Sequence, residues 1–197
     1  SDLIVAADSD GHVTVISSDN SQTSVIRVWE NQLIDGILID QSGSMALAFD
    51  QKQNVAIIDL HKNEIPLRLA DRESSTISPD GRWIVSANRN TDAFDVFDGA
   101  TLQRIRTLKE IDPTDEFIAF SNDSKLFVAA GTHRIVTVWE TETWSVIQRI
   151  SVPSRGLHMP AFHPDGRTLA VADALGFIRL IDIRSGRELF AIGPYSS

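Results

Sequence analysis

The stretch His163-Pro164-Asp165-Gly166-Arg167-Thr168-Leu169-Ala170-Val171-Ala172, followed after a short break by Ile178-Arg179-Leu180-Ile181-Asp182, decides the fold. A polar turn containing Pro and Asp-Gly opens it, an apolar run follows, and an alternating run ends on an acid. Both runs have the length of a strand, and turn-forming residues bound them. The same design stands earlier as Ser78-Pro79-Asp80-Gly81-Arg82-Trp83-Ile84-Val85-Ser86-Ala87. The expected local structure is a short antiparallel pair of strands.

Working outward, the alternating segments Val13–Ser17, Val55–Asp59, Phe94–Asp98, Val136–Glu140 and Ile178–Asp182 end at steps of 42, 39, 42 and 42 residues. A second landmark agrees: the turns Ser42-Gly43, Asp80-Gly81, Asp123-Ser124 and Asp165-Gly166 lie 38, 43 and 42 residues apart. Two independent markers with one period identify an internal repeat. Within a unit the order is constant, as in Phe117–Phe120, Leu126–Ala130, the strand ending at Glu140, and Val146–Ile150. Four short strands make one antiparallel meander, which is marginal alone in water and must stack its faces on neighbours. Units of this kind arranged radially make a β-propeller.

The expectation is therefore an all-β chain, a β-propeller of four-stranded antiparallel blades with about five blades present. The units run approximately 1–33 (partial), 34–71, 72–112, 113–154 and 155–197. The first unit lacks its innermost strand, and nothing after Gly193-Pro194-Tyr195 can supply it. The chain opens Ser1-Asp2-Leu3, without Met. The reading is that these blades belong to a larger ring, a fragment of a longer protein with further blades or domains. In isolation it is expected to expose apolar surface at its ends and to self-associate.

The repeated segments resemble WD repeats, whose pattern is a "SPDGR-LAS" second strand followed by a third strand ending in Trp-Asp. Trp139-Glu140 is the nearest match to that dipeptide, while Ile58-Asp59, Phe97-Asp98 and Ile181-Asp182 keep the acid beside another bulky residue. Trp29-Glu30 looks similar but falls out of phase, after a fourth strand. The best-known WD repeats carry an Asp before the Gly of the second-to-third strand turn, and a Gly-His before the first strand. Here the turn position holds Asp10, Lys52, Thr91, His133 and Leu175, and no Gly-His lies in phase. The family's buried Asp–His–Ser/Thr–Trp network is thus expected to be absent, with apolar packing holding the blades instead. The resemblance implies a divergent WD-like propeller of bacterial type.

Composition narrows the function. Apolar residues make up 42% of 197, the level of a globular chain. No apolar run is long enough to form a spanning helix, so no membrane role is expected. A net charge of −9 argues against nucleic acid as a partner. With no Cys, thiolate metal sites, disulfides and Cys nucleophiles are excluded, and a cytoplasmic location is expected.

No constellation for chemistry stands out. The five His, at 12, 61, 133, 158 and 163, show no recurring ligand spacing, so no metal is expected. Asp8-Ser9-Asp10-Gly11 looks like the start of a calcium loop, but His12-Val13-Thr14-Val15 turns at once into a strand, and a hairpin turn is the expectation. Asp115 and Glu116 are adjacent at a strand entry and point to opposite faces. No Gly-x-Ser-x-Gly elbow or phosphate-binding Gly-rich loop is present, so neither an enzyme nor a cofactor is expected.

What remains is surface. In WD-like propellers the second-to-third and fourth-to-first connections share one face, which commonly binds proteins or peptides. Trp and Arg are enriched at interface hot spots. Trp29, Arg72, Arg89, Arg134 and Arg155 lie in those connections and are the candidate partner-binding residues. The function expected is a non-catalytic protein–protein interaction scaffold, binding a protein or peptide through a propeller face, within a larger multidomain protein. The alternative is a sensor or enzyme propeller that binds a small molecule in the central channel. The innermost strands, read as Ile37-Leu38-Ile39, Ser75-Thr76-Ile77, Phe117–Phe120 and Met159–Phe162, are mostly apolar and disfavour it.

Overall fold

A computed structural model describes residues 3–17, 22–109, 117–131, 134–153 and 156–194. All regular structure among them is β, in five antiparallel sheets. The first has three strands, β1 (Leu3–Ala7), β2 (His12–Ser17) and β3 (Thr23–Arg27). The second has four, β4 (Ile34–Ile39), β5 (Met45–Asp50), β6 (Val55–Asp59) and β7 (Glu64–Leu69). The third comprises β8 (Arg72–Ile77), β9 (Trp83–Asn88), β10 (Ala93–Asp98) and β11 (Arg104–Leu108). The fourth comprises β12 (Phe117–Phe120), β13 (Leu126–Ala130), β14 (Ile135–Glu140) and β15 (Ser145–Ser151). The fifth comprises β16 (His158–Phe162), β17 (Thr168–Ala172), β18 (Ile178–Asp182) and β19 (Arg187–Ile192). In every sheet, strands adjacent in sequence are adjacent in space, so each is a meander with the construction of a propeller blade. No helix among the described residues is long and apolar enough to cross a membrane.

The third strands end at Ser17, Asp59, Asp98, Glu140 and Asp182, so the period read from the sequence is the period of the sheets. The registers agree, with Leu3 opposite Ser17, Met45 opposite Asp59, Leu126 opposite Glu140 and Thr168 opposite Asp182. Trp29 follows β3, outside that phase.

The two landmark turns share a physical cause. At the first-to-second strand turn, Gly43, Gly81, Ser124 and Gly166 all adopt left-handed backbone, with φ of 69°, 71°, 60° and 66°. A residue without Cβ occupies that conformation at no steric cost, which is why three of the four are Gly. The third-to-fourth turn has the same device at Asn63, Leu102, Trp144 and Gly186. A bulge follows in the pairing of the second, fourth and fifth sheets, at Ile57/Asp59, Val138/Trp139 and Leu180/Ile181. Such bulges add local twist.

Side-chain pattern follows strand position. Middle strands are covered on both faces and read as continuous apolar runs; Ala46, Leu47 and Ala48 of β5 are all fully buried. The fourth strands alternate, with Glu64, Pro66 and Arg68 exposed and Ile65 and Leu67 half-buried. Hence the core lies between sheets rather than within one.

The chain divides into two compact units, Ser1–Asn90 with Asp95–Arg106, and Thr91–Phe94 with Thr107–Ser197. In the first unit, Val13, Val15, Ile26 and Val28 of the first sheet pack on Ala46, Ala48, Ala56 and Ile58 of the second. The opposite face of the second sheet, with Leu47, Val55 and Ile57, packs on Ile77, Ile84 and Phe97 of the third. In the second unit, Val128, Val136 and Val138 of the fourth sheet pack on Leu169, Val171 and Ile181 of the fifth.

The second unit also holds an aromatic cluster. Phe127 lies at its centre, with ring centroids 5.5 Å from Trp139, 5.8 Å from Phe94, 5.2 Å from Phe120 and 5.9 Å from Trp144. Trp139 is 1% exposed. Trp144, in the third-to-fourth turn, is folded inward onto Phe120 and Phe127, and this contact accompanies its left-handed backbone. Trp83 is buried as well, with the Arg82 guanidinium 4.4 Å above its ring. Removing the Trp139 side chain leaves a cavity in this cluster, so Trp139→Ala is expected to cost about 3–5 kcal/mol in urea melts. A loss below about 1 kcal/mol would contradict the packing described.

Candidate interaction face

The second-to-third strand turns are built on a side chain at the end of the second strand. Asp8 Oδ1 accepts the amides of Asp10 (2.9 Å) and His12 (2.8 Å). Asp50 Oδ1 accepts those of Lys52 (2.8 Å) and Asn54 (2.7 Å), and Asp173 Oδ1 accepts those of Leu175 (2.9 Å) and Phe177 (3.0 Å). Asn88 takes the amide of Asn90 at 3.1 Å. Asp at such positions folds the following chain back through its own carboxylate. The repeating acid of these turns thus stands two residues before Asp10, Lys52 and Leu175, where the sequence comparison placed it. Its spacing, with acids at 8, 50 and 173 and an amide at 88, is a signal that the sequence does carry.

The same geometry settles Asp8-Ser9-Asp10-Gly11 as a hairpin turn. Both Asp8 oxygens are engaged, the second by His12 Nδ1 at 3.2 Å. No group of three or more His, Asp or Glu among the described residues is arranged to hold a metal ion.

Backbone hydrogen bonds stitch these turns to the links between sheets. In the first unit, the amides of Val28 and Trp29 donate to the Gly11 carbonyl (2.7 and 3.1 Å) and that of Ile34 to Asp8. Arg72 donates to the Gln53 carbonyl at 2.8 Å, and Arg89 to that of Asp71 at 3.2 Å. Side chains add to the stitching, because Gln32 Nε2 donates to Asp50 and Lys52 Nζ donates to Gln32 Oε1. The second unit repeats the arrangement, with Val152 donating to the Arg134 carbonyl and Leu157 to that of Gly131. Rigid backbone on a loop face is the setting in which side chains can be held ready for a partner.

The five candidate residues fare differently on this face. Arg89 is exposed, and its Nε donates to Glu73 Oε1 at 2.9 Å. Arg134 is exposed in the second unit. Trp29 is half-buried against the core between the first two sheets, leaving part of its ring at the surface. Arg72 is committed to the interior: its side chain is 10% exposed and lies 2.8 Å from Asp95, whose own side chain is 1% exposed. Asp95 also takes Arg104 Nη1 at 3.3 Å and Asn88 Nδ2 at 3.1 Å. Arg155 lies outside the described residues, as do His133, Asp115 and Glu116. Arg72 and Arg89 are brought to one corner through Asp71 and Glu73 of the link and strand between them.

Two of these observations correct the sequence reading. Apolar packing is not the sole buried interaction between strands, because Asp95 with Arg72 and Arg104 forms a buried ionic network. Arg179, 9% exposed, forms another with Asp173 at 2.7 Å and Glu188 at 2.7 Å. Nor are the first strands as apolar as their last residues suggest. β8 begins at Arg72, adding Arg72, Glu73 and Ser74, and β4 begins at Ile34, adding Asp35.

The opposite ends of the sheets are acidic but self-contained. In the first unit, a groove of about 450 Å³ is lined by Asp40, Asp59, Asp80 and Asp98 together with His61 and Arg82. Each of these acids serves its own turn. Asp40 takes the amides of Ser44 and Met45, Asp59 binds Lys62 at 2.8 Å, Asp80 takes the Arg82 amide, and Asp98 takes Thr101. At Asp59 and Asp98 the contacts favour the charged form. The Asp59 carboxyl is lowered chiefly by Lys62, and that of Asp98 by the Thr101 amide. In the second unit the amides of Arg167 and Thr168 lower Asp165 to about 2. Burial opposes ionisation of Asp173, yet the Phe177 amide and Arg179 hold its carboxyl low.

Against known proteins, the chain is 24% identical over 174 residues to a WD repeat-containing protein, SL1-17, of Schistosoma mansoni. The alignment covers 85% of this chain and 57% of the relative, so the chain spans a little over half the length of that protein. The chain matches no described protein-family profile. The likeness and the repeated four-stranded sheets together fit a WD-like propeller.

Two measurements check this account. Asp95→Ala strands Arg72 in the interior and is expected to destabilise by about 3–5 kcal/mol, whereas Arg89→Ala should stay within about 0.5 kcal/mol, both read from denaturant melts. The turn carboxyls have folded values below the ordinary 3.8. Their contribution is complete above that value and is lost as pH falls through the folded one, about 2 for Asp165. Thermal midpoints should therefore be level down to about pH 5 and fall steeply below about pH 4.

Proposed function

We propose that the chain is a non-catalytic interaction module that binds a protein or peptide through the face carrying the second-to-third turns and the inter-sheet links. The observation that carries this reading is the hydrogen-bonded backbone of these turns and links: in the first unit the Trp29 amide is held by Gly11 and that of Arg89 by Asp71, and in the second the Arg134 carbonyl takes the Val152 amide. A pre-organised surface loses less entropy on binding than a mobile one. Aromatic and Arg side chains are the types that anchor such contacts. The likeness to a WD repeat-containing protein supports the same reading. Arg72 drops out as a contact residue and becomes part of the support beneath Arg89.

A second reading has one observation in its favour. Arg72 Nε and the Ser74 hydroxyl, both on the first strand of the third sheet, are buried with no hydrogen-bond partner among the described residues. Such groups suit a small polar ligand. This reading predicts a thermal shift with a small polar metabolite that Ser74→Ala abolishes.

The test of the first reading is an alanine scan. Proteins retained by the immobilised chain would be identified, and their affinities measured by calorimetry against Trp29→Ala, Arg89→Ala and Arg134→Ala. At least one substitution should weaken binding by tenfold or more, equal to about 1.4 kcal/mol. Lys125→Ala, in a first-to-second strand turn, should leave affinity unchanged. Equal affinity in all four variants would refute the use of this face.

A further inference from the structure

At the strand ends away from the second-to-third turns, the fifth sheet departs from the others. Three places are decisive there: the residue after the left-handed position of the first-to-second turn, the second residue past the third strand, and the residue opposite the last of the third strand. In the fifth sheet they hold Arg167, Arg184 and Arg187, all exposed. In the second sheet, which is packed on both faces, they hold Ser44, His61 and Glu64. In the fourth they hold Lys125, Glu142 and Ser145. Of these six, all but the half-buried Ser44 are exposed, so exposure belongs to the turns and does not depend on what stacks beside the sheet. Positions that accept acids, hydroxyls and His elsewhere are thus all arginine in the fifth sheet.

The three stand close together on a fixed backbone. Thr168, Asp182 and Arg187 lie opposite one another across β17, β18 and β19, so Arg167 and Arg187 flank the strand from which the Arg184 turn departs. The Ile183 amide donates to the Arg167 carbonyl at 2.9 Å and ties the two turns together. Asp182 Oδ1 takes the amide (2.7 Å) and hydroxyl (2.6 Å) of Ser185, and Gln148 Nε2 of β15 donates to the Arg184 carbonyl at 3.3 Å. Asp165 Oδ1 takes the amides of Arg167 and Thr168 at 2.7 and 2.9 Å. Both nearby acids are therefore committed to their turns. Among the described residues no side-chain hydrogen bond or ion pair engages any of the three arginines, whereas Arg179 of the same sheet is consumed by Asp173 and Glu188. The Asp182 carboxyl is lowered first by Ser185 and further by Arg167 and Arg184, whose charges thus bear on one point.

We propose that Arg167, Arg184 and Arg187 form a second docking point, which receives the phosphoryl group of a phosphorylated segment in a partner protein. This contact uses the opposite strand ends from the face proposed above and is independent of it. Charge and geometry select the occupant. A guanidinium donates in a planar fork that matches phosphate oxygens, and all three places hold Arg where Lys would supply charge alone. A phosphoryl group brings most of two negative charges and three acceptor oxygens to one point. A carboxylate side chain brings less charge and fewer oxygens, and so engages fewer of the donors. Arg clusters are a recurring means of reading phosphorylated segments. Nucleic acid calls for a row of cations along its backbone, and a chain with a net charge of −9 opposes it outside this spot.

The test is fluorescence anisotropy of a labelled peptide, one phosphoserine flanked by Gly and Ser, titrated with the whole chain at about 0.1 M salt. Binding is expected to saturate, and to be about tenfold or more tighter than that of the unphosphorylated peptide or of its twin with Glu in place of phosphoserine. Arg167→Gln, Arg184→Gln and Arg187→Gln should each weaken it about tenfold, the loss expected for a charge-assisted hydrogen bond. Arg184→Lys, which keeps the charge without the fork, should still weaken it about threefold. Lys62→Gln, in a third-to-fourth turn of the first unit, should leave affinity unchanged. All these positions are exposed, so every variant should keep the thermal midpoint and circular dichroism spectrum of the parent. A phosphopeptide that does not bind overturns the proposal, as does affinity indifferent to the arginine substitutions. Equal binding of the Glu twin would make an acidic segment the occupant and overturn it too. So would displacement of the phosphopeptide at lower concentration by oligothymidylate or by phosphatidylserine vesicles, which would assign the arginines to nucleic acid or to a membrane. Trp29, Arg89 and Arg134 take no part in these measurements, so failure here is distinct from failure of the face proposed above.

Discussion

Everything else in this protein depends on apolar burial between one small sheet and the next. A meander of three or four strands has too little area to bury a core of its own, and each carries apolar residues on both faces. Stacking front to rear covers both faces of a middle sheet at once. That is why β5, β9 and β13 are buried almost throughout while β7 and β15 alternate. The aromatic cluster around Phe127 is the same contact filled by large rings. Stability of this kind is a sum over neighbouring pairs of sheets.

Once faces are committed to packing, polar groups must work at strand ends or inside ionic networks. The turns solve the first problem with carboxylates. Asp8, Asp50 and Asp173 at one end, and Asp40, Asp59, Asp98, Asp165 and Asp182 at the other, gather amides that would otherwise lack partners in a reversing chain. Much of the net charge of −9 is therefore structural. An acid-lined groove such as that of Asp40, Asp59, Asp80 and Asp98 follows from the turn chemistry without any ligand to explain it. Networks solve the second problem. Asp95 and Arg179 lie within sheets, where an isolated charge would be costly, and each has at least two ionic partners.

The exposed side chains proposed for partner contact, such as Arg89 and Arg134, accordingly lie at the turns and links. The links and turns carrying Trp29 and Arg89 in the first unit, and Arg134 in the second, are hydrogen-bonded through their backbone, so a side chain there can be replaced without loss of the frame. Interaction repeats are suited to this division, because partner contacts can change without disturbing the packing beneath.

The sequence by itself determined the class, the strand order within a sheet, the phase of the repeat, and the turn positions at Gly43, Gly81 and Gly166, where the backbone is left-handed. All of these are local: alternation, period and the special conformations of Gly are written within a few residues. The burial of Trp83 and Trp139 was legible for the same reason, since each falls on a strand covered on both sides. The exclusion of Trp29 from the repeat came from phase alone. The turn acid is in the sequence too, but the position that corresponds to the WD pattern's Asp lies two residues downstream of Asp8, Asp50 and Asp173. What only the tertiary structure decided was which Arg is surface and which is interior. Arg72 and Arg89 look alike in sequence, each in a polar stretch at a turn. Arg72 is buried because Asp95, 23 residues away, turns its carboxylate toward it across the sheet, while Arg89 pairs with the half-buried Glu73 and stays in water.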